Sequence, residues 1–275
     1  MLTTERAVLI RYARDGQPRR ASGLRIGGQY VLTADHCADG TDHRVEVGGY
    51  SHSADVFVRT EDPDVDLAIL EVLELPIVEA LGSARVNRTI ATDLAGCHAL
   101  GFPVWKGSPD RPVLAQVSGN IPTAEGADPS ALPKVIALMS LKITDPAIRE
   151  HRVPMGDLDQ PQSEWAGMSG AVVVTDDNQV VGVVRSHSLA EGVGSLTLTS
   201  LEAISRLPSN RATRFWTALG VSGVGDLPIL PTQVDPTTAR LERIHDLVRS
   251  GVLYREAAID LQVKVVLLEF DGGTR

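Results

Sequence analysis

Two cysteines, Cys37 and Cys97, are all that the 275 residues contain. A secreted protein that leans on disulfides normally carries more, so both read as free thiols of a reducing compartment. Long hydrophobic runs are missing as well. The apolar run nearest the N-terminus, residues 7–10, is shorter than the roughly 7–15 residues of a signal-peptide core. No stretch reaches the ~20 apolar residues of a membrane-spanning helix. A cytoplasmic location is therefore the expectation. Positive charge is in deficit, with 26 Lys and Arg against 35 Asp and Glu and a formal net charge of −9. With no large positive field to attract phosphates, neither a nucleic acid nor an anionic membrane is the expected partner. The seven histidines form no His-Glu-x-x-His or Cys/His zinc spacing, so no metal and no cofactor is expected.

What is present is ordinary for a folded soluble chain: 43% hydrophobic and 22% charged residues, which exclude a wholly disordered or low-complexity polymer. The length fits one large all-β unit or a domain with an extension. Residues 1–206 read as short strands between Gly, Pro, Asn and Asp turns. Strand patterns fall at 7–12, 30–34, 45–47, 55–58, 67–72, 97–101, 113–119, 135–141, 171–174 and 180–184. This spacing predicts an antiparallel sandwich or barrel, because parallel folds need helical patterns between strands and few occur here. Two proline-broken stretches, 103–133 and 144–165, read as long loops, with one strand inside the first. Composition changes in residues 207–275. A short amphipathic helix is expected at 211–220 and a Gly/Pro-rich connector at 223–236. Asp235 and Pro236 then form an N-cap and first turn for a helix to about residue 250, and a second helix is expected over 254–261.

Three local sequences carry chemistry. They are Val-Leu-Thr-Ala-Asp-His36-Cys37, Asp64-Val-Asp66-Leu-Ala-Ile-Leu and Trp165-Ala-Gly167-Met168-Ser169-Gly170. A serine hydroxyl is a poor nucleophile near neutral pH, so attack on an amide needs an imidazole to take its proton. A carboxylate must hold that imidazole in the right tautomer, and backbone N–H groups must meet the developing oxyanion. His36 closes an apolar strand, Asp66 opens another, and Gly167 and Gly170 allow a tight turn that exposes Ser169. Each segment alone is common. All three occur here in the order His, Asp, Ser.

Together these segments resemble the trypsin-like (chymotrypsin-fold) serine peptidases over roughly residues 5–205. The first resembles that family's Thr/Ser-Ala-x-His-Cys strand end. The second resembles its Asp-x-Asp-(Ile/Leu)-Ala-Leu-Leu segment, and Gly167–Gly170 its Gly-Asp-Ser-Gly turn. The resemblance implies two six-stranded antiparallel β-barrels with the site between them, followed here by a small helical C-terminal extension. It implies a serine endopeptidase acting on protein or peptide substrates, with His36, Asp66 and Ser169 as the triad and the N–H groups of Gly167 and Ser169 as the oxyanion hole. Met168 stands where digestive members carry the aspartate that receives a new N-terminus, and no Ile/Val-Val-Gly-Gly start is present. Activation of that type is not expected. The cysteine that would pair with Cys37 is also absent, which fits an intracellular, bacterial-type branch.

By the same alignment Ser163, six residues before Ser169, lies at the base of the primary specificity pocket, and Arg185 and His187 lie on its wall. Ser163 gives no support to a preference for Arg or Lys. A cation from Arg185 or His187 would favour acidic side chains; the alternative is that both face solvent or complete local hydrogen bonds. Two further alternatives stay open at this level. One is a catalytically inactive binding or adaptor module on the same fold. The other concerns residues 207–275, which form either a helical appendage to the barrel or an adaptor joining a signalling or defence assembly.

Overall fold

The structure, a computed structural model, describes residues 4–87, 93–108, 111–123, 138–145, 165–186 and 194–231. The helices expected at 236–250 and 254–261, Ser163, His187 and most of the 144–165 loop lie outside them.

The described chain is mainly β, and its strands run in two sets. The first set comprises β1 (Ala7–Arg14), β2 (Gln17–Gly27), β3 (Tyr30–Thr33), β4 (Thr41–Val47), β5 (Tyr50–Ser53), β6 (Asp55–Arg59) and β7 (Ala68–Glu71). They pair in the order β5-β4-β1-β2-β3-β7-β6, antiparallel throughout. The resemblance implies six strands here, and pairing gives seven. The two edge strands, β5 and β6, are consecutive in the chain with Ala54 alone between them. They act as two arms of one bent strand, one paired with β4 and the other with β7, and the sheet curls back on itself to allow this.

After β8 (Arg85–Val86), the second set begins with β9 (Leu94–Gly101), and two short strands, β10 (Gly107–Ser108) and β11 (Arg111–Pro112), form a hairpin. Then come β12 (Ala115–Ile121), β13 (Leu138–Ile143), β14 (Val172–Thr175), β15 (Val180–Ser186) and β16 (Ser195–Ser200). With β9 they form a closed six-stranded barrel in the order β12-β13-β16-β15-β14-β9. The short β17 (Ile229–Leu230) runs parallel to β8.

Each set wraps its own core, as alternating inward side chains require. One core gathers Val8, Ile10, Leu24, Val31, Leu32, Val45, Leu67 and Ile69. The other gathers Cys97, Ala99, Val117, Leu141, Met168, Val173, Val184 and Leu198. The two cysteines are buried free thiols, one in each core. Leu100, Val172 and Val183 belong to the second set of strands but pack into the first core, so the halves share a seam.

Helix α1 (Ser209–Leu219) closes the first core from outside. Its Ala212, Phe215, Trp216 and Leu219 recur at helical spacing and are buried. Full burial of a phenylalanine such as Phe215 contributes roughly 1.5–3 kcal/mol. Gly220, in the left-handed region at φ +74°, ends the helix, with its N–H donating to Thr217 O and the Val221 N–H to Trp216 O. This helix and the residues through Pro231 belong to the same compact unit as the strands.

Candidate active site

His36 stands in a single 3₁₀ turn, Asp35–Cys37, that follows β3. The turn is pinned from behind. Asp35 is buried and accepts a two-pronged pair from Arg59, Nε to Oδ1 and Nη2 to Oδ2 at 3.1 Å each, while Arg59 Nη1 reaches Asp39 Oδ1 at 2.9 Å. A fork-to-carboxylate pair of this kind fixes orientation as well as charge. The adjacent His36 is thereby held at the rim of the seam, its side chain 38% exposed.

Asp66 ends a tight turn before β7. The N–H groups of Val65 and Asp66 both donate to Asp62 O at 3.0 Å, and Thr60 closes the base of the turn through Leu67, with N to O at 3.0 Å. Two non-glycine residues in this loop occupy the left-handed region, Glu61 at φ +50° and Asp66 at φ +38°. Such conformations persist only where the surroundings hold them. Arg211, in the first turn of α1, is one restraint, donating to Thr60 O at 2.5 Å and to Glu61 Oε2 at 2.7 Å.

The turn aims the Asp66 carboxylate at His36. Oδ1 accepts from the His36 backbone N–H at 2.9 Å, and the ring Nδ1 lies 3.0 Å from Oδ1 and 2.9 Å from Oδ2. A carboxylate only accepts, so Nδ1 carries the proton and the neutral ring keeps its free lone pair on Nε2. Burial by itself lowers the basicity of His36. The hydrogen bond to Asp66 and the contact with Cys37 outweigh it, and the imidazole is held above its ordinary pKa.

Ser169 lies across the seam in the Trp165–Ala171 turn. Gly167 and Gly170 adopt φ +91° and +82°. A Cβ on Gly170 would meet Ser22 O and Thr33 Oγ1 at 2.2 Å, and one on Gly167 would meet Phe102 O at 2.4 Å. Only glycine fits either position. Because Gly170 touches Thr33 and Ala34, the turn sits directly against the strand end that carries His36. Ser22 clasps it from the first half: its N–H donates to Ser169 O at 2.9 Å and its Oγ donates to Gly167 O at 2.7 Å. The Ala166 carbonyl is taken by the Val104 N–H at 2.7 Å. The N–H groups of Gly167 and Ser169 have no acceptor among the described residues, and the carbonyls beside them are turned into other bonds.

The Ser169 hydroxyl donates to Arg185 O at 3.4 Å and makes no hydrogen bond with His36 in this rotamer. Arg185, expected on the wall of a specificity pocket, turns its Nε to 3.8 Å from Asp66 Oδ2. His36, Asp66, Ser169, Gly167 and Arg185 thus share one cluster. One residue and one ion pair here were not legible in the sequence. Ser22 is fully buried and carries no motif of its own, and the Asp35–Arg59 pair joins residues on separate elements. The only sequence signal for either was a polar residue inside an otherwise apolar strand or beside His36. Among the described residues no group of three or more His, Cys, Asp or Glu side chains gathers to hold a metal ion, and no helix is long and apolar enough to cross a membrane.

No protein-family model and no curated protein matches the chain. Solved structures do. The active form of the Rv3671c protease from M. tuberculosis is 21% identical over 82% of this chain and 86% of that one, with a TM-score of 0.52. An inactive form of Rv3671c is 19% identical over 77% and 88%, also at 0.52. A variant of the HtrA-type protease AlgW, with tripeptide, is 18% identical over 74% of this chain and 58% of that one, at 0.51. At such identities the likeness establishes the architecture: the chain has the chymotrypsin-like double-barrel fold.

Proposed function

We propose that this double-barrel chain is a serine endopeptidase whose triad is His36, Asp66 and Ser169. The observation that carries the reading is the imidazole of His36 held through Nδ1 on the buried Asp66 carboxylate, with a glycine-flanked Ser169 in the same cluster whose turn leaves the Gly167 and Ser169 N–H groups without an acceptor among the described residues. The structural neighbours are themselves proteases, one of them with tripeptide, in agreement with this reading.

The chemistry follows from the groups. In this mechanism the Ser169 hydroxyl leaves Arg185 O and turns toward His36 Nε2. Oγ then attacks the scissile carbonyl carbon while its proton passes to Nε2, and the carbonyl π pair moves onto oxygen. The N–H groups of Gly167 and Ser169 stabilise that oxyanion, each such donor being worth roughly 10²–10³ in rate. Collapse of the tetrahedral species breaks the C–N bond. The leaving amine takes the proton from Nε2, and an ester on Ser169 remains. Water repeats the cycle, giving its proton to His36 and releasing the acid as Ser169 regains its hydrogen. Asp66 stays ionised throughout and stabilises the imidazolium. A preference for small or acidic residues at the primary position belongs to the same proposal, with the acidic part resting on His187, since the Arg185 guanidinium faces Asp66.

A fluorophosphonate probe tests the reading. It is expected to label the full chain and to leave Ser169→Ala unlabelled, with a peptide library cleaved by the former alone. Absence of both labelling and cleavage at every pH, including those where His36 is neutral, refutes it. Dominant cleavage after Arg or Lys would remove the specificity part.

A further inference from the structure

Arg185 lies on β15 where the pairing with β16 shifts register, between Val184 and Ser186. The irregularity separates its two functions in space. Its carbonyl accepts the Ser169 hydroxyl, and its guanidinium faces Asp66, with Nε 3.8 Å from Oδ2. That same oxygen lies 2.9 Å from His36 Nδ1. The Asp66 side chain is 7% exposed and that of Arg185 27%, so solvent screens this pair less than it screens an ordinary surface ion pair.

We propose that Arg185 is a positioning residue for the base: its guanidinium shares Asp66 Oδ2 with the imidazole, weakens the carboxylate's hold on the imidazolium, and lets neutral His36 form at lower pH. The inference rests on the reading of His36 as the base. Without Arg185, protonating His36 completes a neutral carboxylate–imidazolium pair. With it, protonation leaves the cluster with one net positive charge, which a nearby cation disfavours.

The other charged groups around His36 are already matched. On its own turn, Asp35 is engaged by Arg59 of β6, and Asp39 by Arg59 and by Arg14 of β1. On the Asp66 loop, Glu61 is engaged by Arg211 of α1. Asp64 is exposed on that loop, and the half-buried Asp62 accepts from the Asp64 N–H through Oδ1 at 2.8 Å. Cys37, Tyr12 and the buried His43 are the titratable groups on the core side. Arg185 is the cation set against the oxygen that holds the imidazole.

The experiment is an NMR titration of the His36 imidazole nitrogens in the full chain, compared with Arg185→Gln and Arg185→Lys, alongside the pH profile of kcat/KM. In Arg185→Gln the His36 midpoint is expected to rise by about one unit, and Arg185→Lys to return it toward the native value. Activity of Arg185→Gln at neutral pH is expected to fall about tenfold, the equivalent of one pK unit, and to recover as pH is raised. An unchanged or lowered midpoint in Arg185→Gln, or a lysine variant that behaves like glutamine, overturns the proposal. The titration needs no turnover, so the two readings fail separately: a shifted midpoint without hydrolysis would count against the peptidase alone.

Discussion

Replacing Asp66 by asparagine exchanges one carboxylate oxygen for an NH₂ group and tests most of the mechanism. Oδ1 accepts from both the His36 backbone N–H and Nδ1, and Oδ2 approaches Nδ1 at 2.9 Å. The asparagine side chain has one acceptor oxygen. The backbone N–H cannot change its role, so the amide oxygen takes the Oδ1 position and the NH₂ group takes that of Oδ2. Nδ1 then meets a donor and becomes an acceptor, which moves the ring proton to Nε2, where the Ser169 proton must go. The base is blocked by its own tautomer, and the negative charge that stabilised the imidazolium is gone. In the Ser-His-Asp template such a change costs about 10⁴ in rate, which corresponds to about 5.4 kcal/mol of barrier. The variant should fold, since the amide is nearly isosteric and keeps the backbone bond. The assay is kcat/KM on the best library peptide across pH, with circular dichroism to confirm folding and NMR to follow the ring. The His36 midpoint should fall in Asp66→Asn, because the anion that raised it is removed. A rate loss below about tenfold, or a ring that titrates as in the native chain, would refute the reasoning.

Two further outcomes are expected. Alanine at Gly170 places a Cβ 2.2 Å from Ser22 O and Thr33 Oγ1 at φ +82°, whereas alanine at Gly16, at φ +71°, meets no heavy atom within 4 Å. Urea denaturation should show a loss of about 3 kcal/mol or more for the first and about 1–2 kcal/mol for the second; equal losses would show that the clasp between the halves is not tight. His43 is buried and stacked on Tyr12 at a centroid distance of 5.9 Å, and burial, then Arg59, holds its pKa below the ordinary value. Below about pH 6.5 the unfolded chain takes up a proton that folded His43 refuses, so stability falls with pH, and His43→Phe should lose less than the native chain between about pH 7 and 5. His36 acts in the opposite sense: its raised pKa stabilises the fold fully below about pH 6.5, and that contribution is lost as pH climbs toward its folded value. An identical pH dependence in His43→Phe and the native chain would mean that His43 titrates freely.

Elements whose burial is written as apolar residues were legible. The strands expected at 30–34, 67–72 and 180–184 are β3, β7 and β15, and the helix expected at 211–220 is α1, begun two residues earlier. Those hidden in polar residues were not. The long β2 holds Pro18, Arg19, Arg20 and two glycines, yet it is buried from Ala21 onward because it runs along the seam and is covered on both sides. The β16 strand alternates leucine with Ser and Thr, and its Ser195, Thr199 and Ser200 are buried hydroxyls. Such hydroxyls read as turn residues until a partner is known. The strand expected at 113–119 sits two residues later, as Ala115–Ile121, and the one expected at 135–141 runs two residues further, to Ile143, since pairing with β9 and β16 sets their register.

What the chain determined by itself was local: a histidine at the end of an apolar strand, an aspartate at the start of another, and a serine in a turn that only glycines can make. Those settings depend on neighbours within a few residues, and a linear sequence records them. Which atoms meet was decided only by the tertiary structure. Asp66 oxygens reach His36 Nδ1, Ser22 Oγ fastens Gly167, and Arg185 turns its charge onto Asp66 although sequence alignment puts it on a pocket wall. Each of these contacts crosses between strands or between the two halves. The direction of a side chain there is set by register and by the shared seam, which no local pattern encodes.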